Sequence, residues 1–192
     1  MKRWSLFLVT ALLLGVPAPV SADKKSVPDP DDVNGALDIK AASHRHGSKG
    51  KLVHIIVTHE DWEPSILAAE ESWFAMLFDV DRDREDEFGE NRYLKIDYSE
   101  EEGLHAGMYS QGFGGPGEFI ANVPVTKPNA ASVRVVFPKK LLARRIKEYR
   151  WRAIASYEDE AECASDEDSA EQGGCLDYVP PPMKAGIRHD LR

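Results

Sequence analysis

A succession of short runs with a two-residue period constrains this chain more than any other feature. Arg92 to Tyr98 reads RYLKIDY: Leu94, Ile96 and Tyr98 point one way, and Tyr93, Lys95 and Asp97 the other. Leu52 to His59 (LVHIIVTH) and Ser132 to Phe137 (SVRVVF) are rich in β-branched residues, which suit a pleated, half-buried surface. Tyr149, Trp151, Ala153, Ala155 and Tyr157 share one face of a late strand, and Phe119 to Thr126 and Leu104 to Ser110 read as further strands. Ser72 to Val80 (SWFAMLFDV) is apolar on both faces, as expected of a central strand covered on both sides. Near the start, Leu37, Ile39, Ala41 and Ser43 alternate with Asp38, Lys40 and Ala42, and Gly47 and Gly50 close that run as a turn. LDYVPPPM is extended near the end, and its prolines confine it to an edge. Only KKLLARRIKEY, opened by Pro138, has helical spacing, with Leu142 and Ile146 four apart. About eight strands and one short helical segment predict an all-β fold, a two-sheet antiparallel sandwich of jelly-roll type.

The first residues, MKRWSLFLVTALLLGVPAPVSADKK, have a charged start, a short apolar run from Leu6 to Val16 and a small-residue cleavage site at Val20-Ser21-Ala22. Residues 1–22 therefore read as a secretory signal peptide, the apolar run being too short to span a bilayer. Residues 23–36 form a polar leader, and 37–192 a single domain. Removing 22 of 192 residues leaves 170, a length that supports one well-filled core. The leader peptide takes away Lys2 and Arg3 and no acid, so the mature net charge is −9 − 2 = −11. So acidic a chain argues against nucleic acid or an anionic membrane as partner, because phosphate contacts need clustered Lys and Arg. Lys139, Lys140, Arg144, Arg145 and Lys147 do cluster, and read as a solvated helix face.

Two cysteines, Cys163 and Cys175, stand close together in a chain expected outside the cell, where such a pair most often forms a disulfide. The residues between them, ASDEDSAEQGG, hold too little apolar surface to order themselves. Closing that acidic loop (163–175) would remove roughly 3 kcal/mol of unfolded-state entropy. With no C-x-x-C spacing, a redox pair is the weaker reading.

The order of pieces also resembles known domains. WFAMLFDVDRD is followed by RYLKIDY, a glycine-rich segment (112–117), SVRVVFPKKLL, and YRWRAIASYED. This succession is similar to the DOMON-type and family 9 carbohydrate-binding-module β-sandwiches. It is similar also to exported domains of unassigned function that open with a D-x-x-G-x-LDI-like segment (here Asp32 to Ile39) and close with an Asp-x-x-Pro-like strand (here Asp177 to Pro180). The resemblance covers most of the mature chain as a pattern. It implies a two-sheet sandwich used for binding rather than catalysis, with sugar, heme or calcium as ligand. A heme site needs a Met or His axial pair; Met76, Met108, His54 and His105 are present but do not pair by sequence. A sugar site of this kind needs exposed aromatics. Trp73 and Trp151 lie within strand patterns and are expected in the core, which leaves Trp62, in HEDWEP, as the candidate ligand aromatic.

Two acidic clusters are candidate calcium sites, since calcium takes about six to eight oxygen ligands. In DVDRDREDEFGE, Asp79, Asp81, Asp83 and Glu90 occupy the first, third, fifth and twelfth places of a calcium loop. Arg84 stands where such a loop needs glycine, Asp86 where it needs an apolar anchor, and the flanks read as strands, so the stretch is not an EF-hand. A hairpin turn neutralised by Arg82, Arg84 and Arg92 competes with a metal site there. The second cluster draws on both chain ends: Asp29, Asp31, Asp32 and Asp38 from the opening and Asp177 from the last strand. If those strands meet, the carboxylates converge on a cation that staples the ends.

Other chemistry is thinly represented. There is no G-x-S-x-G, H-E-x-x-H or P-loop. His44 and His46 share a strand face without an evident third zinc ligand, and read as a surface pair. His54 reads as a partly buried residue, and His59-Glu60-Asp61 as a polar strand end. The expectation is a secreted, non-catalytic binding or interaction module, calcium-stabilised, with a glycan or protein as extracellular ligand. A carbohydrate-binding module is the alternative, marked by an exposed aromatic row on one sheet face; an extracellular hydrolase, marked by close carboxylates in a pocket, is the second.

Overall fold

A computed structural model describes residues 25–33, 35–69, 72–80, 92–110, 117–143, 147–157, 175–180 and 186–190. The expected signal peptide therefore lies outside the described residues. Two antiparallel sheets face each other. The smaller has the order β1 (Lys25–Pro28), β2 (Ile39–His46), β3 (Lys51–Thr58), β9 (Ser132–Pro138) and β8 (Val125–Asn129). The larger has the order β11 (Cys175–Val179), β10 (Glu148–Tyr157), β4 (Trp73–Asp79), β5 (Arg92–Ser99), β6 (Gly103–Ser110) and β7 (Glu118–Asn122). A last strand, β12 (Ile187–Asp190), pairs with the first half of β10, while β11 pairs with its second half. The chain crosses between sheets after β3, after β7 and after β9. This is the all-β two-sheet sandwich that the alternating runs predict.

After Pro138 the described residues include a 3-10 turn at Lys139–Leu141, and residues 144–146 of the expected helical segment lie outside them. Its last two residues, Glu148 and Tyr149, begin β10, which packs Tyr149 and Trp151 into the core.

Between the sheets lie Phe74, Met76 and Phe78 from β4, Leu94 and Ile96 from β5, and Tyr149 and Trp151 from β10. Leu52 and Ile56 from β3 and Val133, Val135 and Phe137 from β9 belong to the same cluster. The opposite face of β4 is buried too: Trp73, Ala75 and Leu77 pack with Ile154 beneath Tyr93, Leu176 and Tyr178. The doubly apolar run SWFAMLFDV thus has a cover on each side.

At β2 the expected alternation changes phase. The register with β3 shifts between Ile39 and Ala41. A bulge of this kind places two residues against one and reverses which parity faces inward. Ile39 is buried before it and Ala42 and His44 after it, whereas Ala41 and Ser43 are only partly buried. Just upstream, Gly35 has φ +128°, and a Cβ there would stand 2.6 Å from the Tyr157 ring. The opening segment needs glycine at that position on both counts.

Candidate functional site

The two ends of the chain meet at one side of the sandwich. β1 forms the edge of the smaller sheet and β11 lies along an edge of the larger, and β2 touches β11. The β1–β2 ladder runs on through Asp29 N–H to Lys40 O (3.0 Å), and the β2–β3 ladder through His59 N–H to Asp38 O (2.9 Å). Asp177, in β11, accepts a hydrogen bond from Ile39 N–H at 2.6 Å. These backbone links bring together all five acids of the second cluster. Asp29, Asp32 and Asp177 each offer a carboxylate oxygen within 4.8 Å of the others, and Asp31, Asp38 and His59 form a second such set.

Two of these acids are buried. Asp177 is 5% exposed and Asp38 4%. Burial pushes the Asp177 carboxyl up to about 8; the Ile39 N–H works against that rise, and Asp29 and Asp38 add to it. Burial likewise pushes Asp38 up to about 6, opposed by His59 and assisted by Asp31 and Asp32. Among the described residues no N–H or O–H donor is placed to bond either Asp38 oxygen or to pair with His59 Nε2, although the Asp31 carboxyl stands close to Asp38 and raises it further. His59 Nε2 stands 4.0 Å from Asp38 Oδ2, and its Nδ1 stands 3.9 Å from Asp31 Oδ2. His59 is the member that sequence reading missed. It lies 21 positions from Asp38, and only the β2–β3 pairing joins them.

Of the first candidate calcium loop, Asp79 ends β4, and Asp81, Asp83 and Glu90 lie outside the described residues. β4 does pair directly with β5, as a hairpin requires. Cys163 and the Cys175 side chain also lie outside them, and with them the expected disulfide.

Trp62, the expected ligand aromatic, is buried. It is 3% exposed, with Phe74 against its ring (centroids 5.3 Å) and Lys127 Nζ over it at 4.7 Å. Its backbone N–H is tied to Ala130 O, which draws the ring inward. The pair His44 and His46 is not a surface pair either, because the bulge turns His44 into the core. His44 and His54 are both fully buried and sit opposite each other on β2 and β3. His44 Nδ1 and His54 Nε2 are 2.7 Å apart, and the Tyr149 hydroxyl lies 2.9 Å from His44 Nε2. Phe78, Phe137 and Trp151 enclose His54. One ring must donate and the other accept, so the two facing nitrogens share a single proton.

The outer face of the larger sheet carries a different feature. Strand register aligns Arg152, Leu77, Tyr93, Tyr109 and Phe119 across β10, β4, β5, β6 and β7. Tyr93 and Tyr109 stack at 4.8 Å with 9° between planes, and Phe119 meets Tyr109 edge-on at 5.7 Å. Phe119 is 58% exposed. Tyr109 leans over Gly107, where a Cβ would come within 2.8 Å of its ring. The next positions along the same face bring the ion pair of Lys95 with Asp97 (3.0 Å) and, opposite Gly107, the exposed Asn122. The result is an aromatic row that ends in an open ring and is flanked by polar groups.

No family model, curated protein or solved structure matches the chain.

Proposed function

We propose that the protein is an exported, non-catalytic binding module whose ligand is a glycan, taken up on the outer face of the larger sheet. The row Tyr93–Tyr109–Phe119 carries this reading. Phe119 stands open at the end of the row, with Tyr93 and Tyr109 partly buried behind it, and an apolar patch rimmed by polar groups suits an interaction site. Aromatic rings offer flat apolar area, and the tyrosine hydroxyls with Lys95, Asp97 and Asn122 offer the donors and acceptors that orient a polyhydroxylated ligand. Export rests on the N-terminal residues. The non-catalytic reading rests on the sequence, which has no G-x-S-x-G, H-E-x-x-H or P-loop motif.

Retention on insoluble cellulose, chitin and xylan tests the proposal. One of these should hold the mature chain, and Phe119→Ala should weaken that retention roughly threefold to tenfold without moving the melting point. Retention by none of them, or equal retention of the variant, contradicts it.

Calcium enters this reading as a staple of the chain ends. Asp29, Asp32 and Asp177 offer oxygens within 4.8 Å of one another, close enough for one calcium ion to be shared among them. Millimolar calcium should raise the melting point of the native chain but not of Asp177→Asn; no shift in the native chain removes calcium from the account.

A further inference from the structure

Asp31, Asp38 and His59 have no part in glycan binding. We propose that these three side chains hold a divalent transition-metal ion of the zinc class. The Asp38 side chain is 3% exposed, and among the described residues no N–H reaches either of its oxygens; the side chain beside it is another acid, Asp31. A carboxylate withdrawn from water requires a compensating charge or donor. The group facing it, His59 Nε2, is also buried without a hydrogen bond. Their separation of 4.0 Å is well beyond the roughly 2.7–2.9 Å of a charge-assisted hydrogen bond. His59 Nδ1 stands at a similar 3.9 Å from Asp31 Oδ2. Only one ring nitrogen can face an ion, and one nitrogen of His59 and one oxygen each of Asp31 and Asp38 do lie within 4.8 Å of one another.

The donor set selects the ion. Imidazole nitrogen suits zinc and its neighbours rather than calcium or magnesium, and carboxylate oxygen is compatible with zinc. Two carboxylates and a neutral imidazole sum to −2, which balances a divalent cation. Tetrahedral zinc at about 2.0–2.2 Å holds its ligand atoms roughly 3.4 Å apart, so binding would draw donors that now lie within 4.8 Å of one another in by up to about 1.4 Å. Asp31 can supply much of that movement, because its side chain is 79% exposed. Asp38 and His59 are fixed by their own backbones: Asp38 N–H to Gly35 O (3.2 Å) and His59 N–H to Asp38 O (2.9 Å). Two rigid ligands, one mobile ligand and an open side toward water describe a three-ligand site with room for a fourth.

The test is calorimetric titration of the chelator-stripped mature chain with zinc, and separately with calcium. One equivalent of zinc per chain is expected, weakened roughly tenfold or more in both Asp31→Ala and His59→Ala. Asp31→Ala changes an exposed side chain and removes an acid beside Asp38, so its melting point in chelator should be no lower than that of the native chain. Cobalt substituted for zinc should give a visible band that His59→Ala shifts. Three outcomes overturn the proposal: no zinc binding; zinc binding unchanged in both variants, which places the ion on other imidazoles; or calcium binding alone, lost in Asp177→Asn.

Discussion

In chelator, the protein should lose stability as the pH rises from about 5 to 8, and Asp177 should be the main cause. Its carboxyl has an ordinary value of 3.8 in the unfolded chain and is pushed up to about 8 in the fold. Below pH 4 both states are protonated and the group exerts no penalty. Above that the unfolded chain ionises freely while the folded one holds its proton, so stability falls until the pH passes 8. At about 1.4 kcal/mol per unit, four units give a ceiling of roughly 5–6 kcal/mol. Asp38, raised to about 6, belongs to the same cluster and shares the repulsion, so the two contributions overlap rather than add. A realistic loss for the pair is ~3–5 kcal/mol, or about 6–20 °C in melting point for a chain of this length. Asp177→Asn keeps an oxygen to accept the Ile39 N–H and removes the charge. Its melting curve should be flatter over this range, and the variant should be more stable than the native chain at pH 8. Thermal melts at unit steps of pH test this. Parallel profiles for the two proteins, within about a degree or two, would refute the reasoning.

Three further outcomes follow from the packing. Phe78→Ala, at a fully buried position against His54, Phe137 and Tyr149, should cost about 3–5 kcal/mol in urea denaturation; a cost below 1 kcal/mol would mean that the core is not packed around this ring. Tyr149→Phe removes the hydroxyl bonded to buried His44 and should cost about 1–3 kcal/mol by the same assay, whereas an unchanged midpoint would show that the hydroxyl is not engaged. Gly107→Val should displace the Tyr109 ring and lower polysaccharide retention at least as much as Phe119→Ala; full retention would separate Tyr109 from the ligand face.

The strands were legible because burial on one or both faces imposes a period of two, and RYLKIDY and SWFAMLFDV show the two cases side by side. The inward position of His44 was not legible. A one-residue bulge at Ile39/Ala41 reverses the phase of everything after it, and nothing in AASHRH marks that bulge. Convergence of the acids was foreseeable from their placement at both ends, but only on condition that β1, β2 and β11 meet. His59 was hidden because its neighbour in space comes from the far side of a hairpin. The aromatic row was hidden for the same reason, more strongly: Tyr93, Tyr109 and Phe119 come from three strands and align only through register, while the conspicuous Trp62 is consumed by packing on Phe74. Single-strand patterns report which side faces the core. They do not report what stands beside a residue on the side facing water.

The most direct measurement is backbone amide shift mapping of the mature chain titrated with a soluble oligosaccharide of whichever polysaccharide retains it. The account predicts shifts gathered on residues 93–97, 107–110 and 117–122, the three strands beneath the aromatic row. Shifts gathered on the smaller sheet or at the chain ends, with this row silent, would contradict it.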